Sequence, residues 1–93
     1  MTIKTQLKII NKSGLHARPA VVFVKACRKY KSRIILEKNG RKADAKNILQ
    51  VLSLGVDQGD IITLIIEGED EEKALREIKE VVEKKLVEVD EKK

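Results

Sequence analysis

The sequence contains a single histidine, His16, within the segment Gly14-Leu15-His16-Ala17-Arg18-Pro19-Ala20. A helical pattern begins directly after it, so the imidazole is expected at the N-terminal boundary of a helix. The first N–H groups of a helix have no intrahelical partner and, together with the helix dipole, favour a bound anion. Arg18 adds a guanidinium whose planar fork matches phosphate oxygens. The segment therefore predicts that His16 takes up a phosphoryl group covalently, with the amides of Ala17 and Arg18 and the Arg18 side chain holding the phosphate.

Other roles for His16 are less well supported by the sequence. An isolated histidine often serves only as a polar residue at a helix end, but Arg18 and Pro19 beside it favour an anion site here. One histidine and one cysteine, Cys27, are too few soft ligands for a structural metal site, and no cofactor motif is present. No serine or cysteine lies in a motif that would make it a nucleophile acting with His16.

Four strands are predicted from the spacing of apolar residues. Ile3 to Ile9 alternates apolar and polar side chains, which is typical of a strand with one face in water. Arg33 to Glu37 contains the apolar run Ile34-Ile35-Leu36, and the Asn39-Gly40 pair after it fits a tight type I′ turn between two short antiparallel strands. The near-continuous apolar run from Asp60 to Glu67 predicts a strand inside the sheet.

Three helices are predicted between and after these strands. The first spans about Ala17 to Tyr30 and has its buried stripe at helical spacing. A short helix from Asn47 to Leu54 is capped by Asn47, and the last helix has Asp70 as its N-cap and frays from about Asp90. The buried stripe of the first helix consists of Ala20, Phe23, Val24 and Cys27.

The order of these elements predicts one domain over residues 1–93, of the α+β class. Four mainly antiparallel strands would carry the three helices on one face and leave the other face in water.

Charge is unevenly distributed along the chain, although the formal net charge is only +5. Residues 1–50 contain 13 Lys and Arg against 2 Asp and Glu, and residues 51–93 contain 7 against 13. The basic half could steer the protein toward an acidic protein or toward nucleic acid. Phe23 and Tyr30 are the only aromatic residues, too few for a base-stacking platform, so no nucleic-acid partner is expected.

No apolar run is long enough to span a membrane, and the N-terminus does not have the pattern of a signal peptide. The sequence therefore predicts a cytoplasmic protein without membrane insertion.

The sequence resembles the HPr family, the histidine-containing phosphocarriers of the bacterial phosphoenolpyruvate-dependent sugar phosphotransferase system. The segments that carry the resemblance are Gly14–Ala20, Ile48–Gly55 and Glu67–Glu71, in this order and over nearly the whole chain. The resemblance implies an open-faced β-sandwich and phosphorylation of His16 on Nδ1 by Enzyme I. It further implies transfer to the sugar-specific A domains of Enzyme II during sugar uptake. Such a protein is a carrier and not an enzyme that turns over small molecules, and a monomer is the simpler expectation.

The resemblance also implies a partner-binding surface around His16 that includes the short helix. Apolar side chains with a basic rim suit a transient interface. In this sequence the surface would consist of Val21, Lys25, Ile48, Leu49 and Leu52.

One position departs from many Gram-positive relatives, in which a regulatory serine that a kinase phosphorylates begins the short helix. Asn47 occupies this position and can cap the helix but cannot be phosphorylated there. We therefore expect no regulatory site at this position; the nearest hydroxyl belongs to Ser53, for which a regulatory role is not expected.

Two other functions remain as alternatives. The first is a regulatory module of the same fold that binds a transcription factor or an enzyme, which loss of the histidine would favour. The second is a small basic nucleic-acid binder, which predicts a steep salt dependence of its affinity.

Overall fold

The computed structural model describes residues 2–92, which form four strands and three helical regions. The strands are β1 (Thr2–Lys8), β2 (Arg33–Lys38), β3 (Arg41–Asp44) and β4 (Ile61–Glu67). The helices are α1 (Ala17–Arg28), α2 (Ile48–Ser53) and a C-terminal helix made of α3 (Glu71–Glu80), a π-helical segment (Val81–Lys85) and α4 (Leu86–Glu91).

The four strands form one antiparallel sheet in the order β1-β4-β2-β3. Leu64 of β4 lies opposite Thr5 of β1 and Leu36 of β2, so β4 is an interior strand as its apolar sequence predicts. Buried side chains alternate with more exposed ones along β4, because one face of the sheet carries the core. The predicted α+β class, the four-stranded antiparallel sheet and the open-faced β-sandwich are confirmed.

The core lies between this face of the sheet and the helices. The predicted buried stripe of α1 is buried throughout, and the C-terminal helix adds Ala74, Ile78, Val82 and Leu86. Burial raises the pKa of the Cys27 thiol to about 12, although the Lys46 ammonium acts in the opposite direction. The thiol is therefore uncharged and packs as a small apolar side chain.

The hairpin between β2 and β3 turns at Asn39 and Gly40, whose φ angles are 52° and 81°. Two successive positive φ angles are the signature of the type I′ turn that the Asn-Gly pair predicts.

The C-terminal helix begins where predicted but continues further than predicted. Asp70 stands at the N-cap position but makes no side-chain cap; its carboxylate accepts hydrogen bonds from the backbone N–H groups of Lys31 and Ser32 and from the Ser32 hydroxyl. Asp70 is therefore the N-cap residue, as predicted, but its side chain binds the loop before β2 instead of capping the helix. The prediction of a frayed tail was wrong: the helix continues to Glu91, and Asp90 binds the loop after β1.

No helix within residues 2–92 is long and apolar enough to cross a membrane.

Candidate functional site

His16 occupies the N-cap position of α1, as the sequence predicts. Its backbone is extended, with φ −127° and ψ 159°, and its carbonyl accepts the N–H of Ala20 at 3.4 Å. Ala17, which follows, has a φ of 49°, a left-handed value that costs a non-glycine residue about 1–3 kcal/mol. The sharp change of direction at Ala17 lets the chain pass from the extended backbone of His16 into the helix.

Two segments converge to support the imidazole. We call residues 9–16 the acceptor loop and residues 55–60 the opposing turn. The two are held together by backbone hydrogen bonds. Leu15 N–H donates to the Val56 carbonyl at 3.0 Å. Ile9 N–H donates to the Asp60 carbonyl at 2.9 Å, and the Ile9 carbonyl accepts the N–H of Gly59 at 2.7 Å. They meet because β1 and β4 are neighbours, so the segment after β1 lies beside the segment before β4.

The predicted phosphate-binding groups lie on the protein surface at this point. Ala17 and Arg18 are exposed, and within residues 2–92 neither backbone N–H has a hydrogen-bond partner. The Arg18 guanidinium likewise makes no hydrogen bond or ion pair with the described residues. No acidic side chain lies in the first turn of α1. The N-terminus of α1 thus offers amide donors, a cation and the helix dipole to an anion beside His16.

A carboxylate that the sequence did not reveal lies against the imidazole. His16 Nε2 is 2.8 Å from Asp57 Oδ1, and the side chains of His16 and Asp57 are 40% and 72% exposed. Asp57 lies in the opposing turn, 41 positions along the chain from His16. Its segment, Val56-Asp57-Gln58-Gly59, has the composition of an ordinary turn, and nothing in that local pattern marks a functional side chain.

The acceptor loop is also fixed from its other side by the C-terminal helix. Asp90 Oδ2 accepts hydrogen bonds from Asn11 Nδ2 at 2.9 Å and from the Ser13 N–H at 2.8 Å, and Asp90 Oδ1 accepts one from the Ser13 hydroxyl. Asn11 Nδ2 further donates to the Gly14 carbonyl at 2.9 Å. Burial acts to raise the pKa of Asp90, but the hydrogen bonds from Ser13 and Asn11 outweigh it and hold the pKa below its usual value.

We call the residues predicted to bind partners the docking surface: Val21, Lys25, Ile48, Leu49 and Leu52. Three of them line one depression. A depression of about 160 Å³ between α1 and α2 is lined by Val21, Lys25 and Ile48, with Val24 and Arg28. Val21, Leu49 and Leu52 are 42%, 75% and 36% exposed, which is high for apolar side chains. The surplus of apolar residues in α2 thus faces outward.

The start of α2 is capped by Asn47, whose side chain accepts the N–H of Gln50 at 3.1 Å. The predicted cap is therefore present. Ser53, at the other end of α2, is exposed, and its hydroxyl donates to the Gln50 carbonyl at 2.7 Å.

Within residues 2–92, no three or more His, Cys, Asp and Glu side chains are grouped so that they could hold a metal ion.

The sheet order and the single covered face define an open-faced α+β sandwich, with His16 exposed at the N-terminus of its first helix. Residues 3–84 match the family model described as the PTS HPr component phosphorylation site. The chain therefore belongs to the HPr family, a phosphocarrier family characterised by a histidine phosphorylation site.

Two curated relatives illustrate the range of the family. The chain is 40% identical over 82 residues to the HPr-like protein Crh of Halalkalibacterium halodurans, covering 88% of this chain and 98% of the relative. It is 44% identical over 75 residues to the phosphocarrier protein HPr of Buchnera aphidicola, covering 81% and 88%.

Two solved structures are similar as well. The crystal structure of HPr-C-His from Thermoanaerobacter tengcongensis has a TM-score of 0.88 at 43% identity and covers 90% of this chain and 94% of its own. The crystal structure of Crh from Bacillus subtilis, described as a swapped, intertwined dimer, has a TM-score of 0.70 at 40% identity and covers 87% and 93%.

Proposed function

We propose that this protein is a phosphocarrier that accepts a phosphoryl group on His16 from phosphorylated Enzyme I and passes it to the A domains of sugar-specific Enzyme II during sugar uptake. The observation that carries the proposal is the half-exposed imidazole at the N-cap of α1, beside the unpaired N–H groups of Ala17 and Arg18. A relay protein needs a nucleophile that two different partners can reach in turn, and a surface histidine meets this requirement.

The chemistry assigned to the site is a pair of phosphoryl transfers. A lone pair of the His16 imidazole attacks phosphorus, the bond from phosphorus to the donor atom breaks, and the electron pair of that bond stays with the donor. The second transfer repeats these steps with His16 as the donor. The transferred group carries negative charge in both directions, and the α1 amides and Arg18 would stabilise it. No cofactor or metal ion is required in this scheme.

We assign the docking surface to both partners. Because the same histidine must meet the donor and the acceptor, each partner has to cover the surface around it and then leave. An exposed apolar centre of Val21, Leu49 and Leu52 with Lys25 at its rim suits a short-lived contact with an acidic partner. The excess of basic residues in positions 1–50 would speed that encounter.

A regulatory module of the same fold is the second candidate, and it is favoured by similarity to Crh, which is described in Bacillus subtilis as the catabolite repression HPr. Such a module would bind a transcription factor or an enzyme without passing a phosphoryl group on. The presence of His16 favours the carrier. Asn47 provides no hydroxyl at the start of α2, so we expect no serine-based switch at that position.

The deciding experiment incubates the protein with Enzyme I and radiolabelled phosphoenolpyruvate. We expect an acid-labile phosphoryl group on the parent protein and none on the His16→Ala variant. Absence of label on the parent protein, under conditions in which a known HPr is labelled, would contradict the carrier function. A His16→Ala variant that keeps its affinity for a regulatory partner would then favour the regulatory module.

We further infer that residues 1–93 act as one cytoplasmic domain and as a monomer. The monomer inference rests on a β1 strand that pairs along its whole length with β4 of the same chain. Light scattering during gel filtration tests it, and a mass of twice the chain mass would contradict the monomer.

A further inference from the structure

The contact between His16 and Asp57 determines which ring nitrogen is free. An ionised carboxylate only accepts hydrogen bonds, so the 2.8 Å contact requires that His16 Nε2 carries the hydrogen. In a neutral imidazole the other nitrogen, Nδ1, then holds the lone pair. The structure therefore selects Nδ1 as the nucleophile, with Nε2 turned toward the carboxylate.

Asp57 is itself held in place by its neighbours. Its backbone N–H donates to Asp60 Oδ2 at 2.7 Å, and Lys38 Nζ donates to the same oxygen at 2.8 Å. Lys38 Nζ also donates to the Gly55 carbonyl at 2.7 Å, so one lysine fixes both ends of the opposing turn. The hydrogen bond from Lys38, and after it the one from the Asp57 amide, hold the pKa of Asp60 below its usual value. These hydrogen bonds fix the backbone at Asp57, although the Asp57 carboxylate itself is exposed.

We propose that Asp57 is a positioning residue for phosphoryl transfer: by accepting the Nε2 hydrogen it fixes the tautomer and the orientation of the His16 ring and presents Nδ1 to the phosphoryl group. This role rests on the proposed function. It gives the Asp57 carboxylate a role in phosphoryl transfer, although the segment around Asp57 has the composition of a simple turn. Lys38 and Asp60 support it by fixing the backbone of the opposing turn.

The carboxylate also has an electrostatic effect on the transfer. When Nδ1 gives its electron pair to phosphorus, the ring keeps its Nε2 hydrogen and acquires positive charge. Asp57 faces the nitrogen that carries this hydrogen and stabilises the charge. When the phosphoryl group leaves, the electron pair returns to Nδ1 and the ring is neutral again. No proton has to enter or leave the ring in either step.

The first test measures the tautomer directly in the unphosphorylated protein. ¹⁵N NMR of the imidazole should show the Nε2–H tautomer in the parent protein. The Asp57→Asn variant should show a mixture of both tautomers, because an amide can either donate or accept. Asp57→Glu should restore the Nε2–H form in part. The Glu83→Gln variant removes the same charge from an exposed position of the C-terminal helix and should leave the tautomer unchanged.

The second test measures transfer with two donors. With Enzyme I and phosphoenolpyruvate, Asp57→Asn should lower the rate constant of phosphorylation by about 10-fold with little change in KM, the lower end of the 10–100-fold that carboxylates contribute when they orient metal-binding histidines. With phosphoramidate, a small donor that needs no docking, ³¹P NMR should find the phosphoryl group on Nδ1 of the parent protein. In Asp57→Asn it should also be found on Nε2.

The outcomes separate this inference from the proposed function. If Enzyme I does not phosphorylate the parent protein, the proposed function fails, whereas the NMR measurements still test Asp57. If the parent protein is phosphorylated and Asp57→Asn has the same tautomer, rate constant and site of attachment, the role of Asp57 is wrong. A loss of rate equal to that of Glu83→Gln would show a general charge effect and would also overturn it.

Discussion

Gly14 lies so close to the backbone of Val56 that no side chain fits between them. A Cβ added at Gly14 would be 2.3 Å from the Val56 carbonyl oxygen and 2.8 Å from the Cα of Asp57. The φ of Gly14 is 65°, a left-handed value that glycine adopts without strain. The acceptor loop and the opposing turn therefore approach each other at a position that only glycine can occupy, and this approach places Asp57 beside His16.

We expect Gly14→Ala to lower the free energy of unfolding by about 2–4 kcal/mol, because the new Cβ meets rigid backbone and the φ is unfavourable. Gly55→Ala is the matched control: its φ is 63°, but nothing lies within 4 Å of its Cβ position. It should cost only about 1–2 kcal/mol, from the left-handed conformation alone. Urea unfolding of both variants measures the difference. Equal losses would contradict the close approach described at Gly14.

Arg18→Ala should still accept phosphate on His16 but transfer it about 10-fold more slowly. A charge-assisted hydrogen bond contributes about 1.5–3 kcal/mol, and exposure of Arg18 favours the lower end of this range. Arg18→Lys keeps the charge without the planar fork, so its transfer rate should lie between those of the parent protein and Arg18→Ala. Arg33→Ala removes the same charge from an exposed position at the start of β2 and is the control for a general electrostatic effect. Quenched-flow measurement of transfer from phosphorylated His16 to an acceptor domain tests this, and an unchanged rate in Arg18→Ala would refute the role of Arg18.

Much of the fold follows from local patterns in the sequence. The alternation in β1, the Asn39-Gly40 turn and the helical stripe of α1 each depend on residues close together in the chain, and each was predicted correctly. The boundaries were less accurate: α1 ends at Arg28 and not at Tyr30. The helix end is set by contacts with other elements, to which a periodic pattern is insensitive.

The candidate site could be located from the sequence only where its residues are contiguous. His16, Ala17 and Arg18 lie in one segment, so their placement at the start of α1 followed from the position of the helix. Asp57 could not be found in this way, because an aspartate in a turn is common and its partner lies 41 positions away. Pairing of β1 with β4 is the relationship that brings the two segments together, and the order of strands in the sheet was not predicted.

Leu49→Ala should weaken docking without affecting folding. The Leu49 side chain is 75% exposed, so its removal should change the free energy of unfolding by less than about 0.5 kcal/mol. If it forms part of the docking surface, KM for Enzyme I should rise about 5-fold, the effect of losing about 1 kcal/mol of contact. Val51→Ala, at a buried position of the same helix, should instead cost about 1–3 kcal/mol of stability. Steady-state phosphorylation and urea unfolding separate the two, and an unchanged KM would exclude Leu49 from the interface.

Asp90→Asn should destabilise the protein by about 1 kcal/mol at neutral pH, because the carboxylate accepts hydrogen bonds from Asn11 and Ser13. The sign of the pH dependence follows from the pKa of Asp90, which is lower in the folded protein than its usual value. The contribution of the ionised form is complete above the unfolded pKa of about 3.9 and is lost as the pH falls through the lower folded value. The unfolding free energies of the parent and the variant should therefore converge as the pH falls below the folded pKa of Asp90. Glu88→Gln, an exposed carboxylate of the same helix, should differ little from the parent at any pH. Urea unfolding at a series of pH values measures both variants, and a difference for Asp90→Asn that persists undiminished in acid would show that the ionised carboxylate is not what holds the acceptor loop.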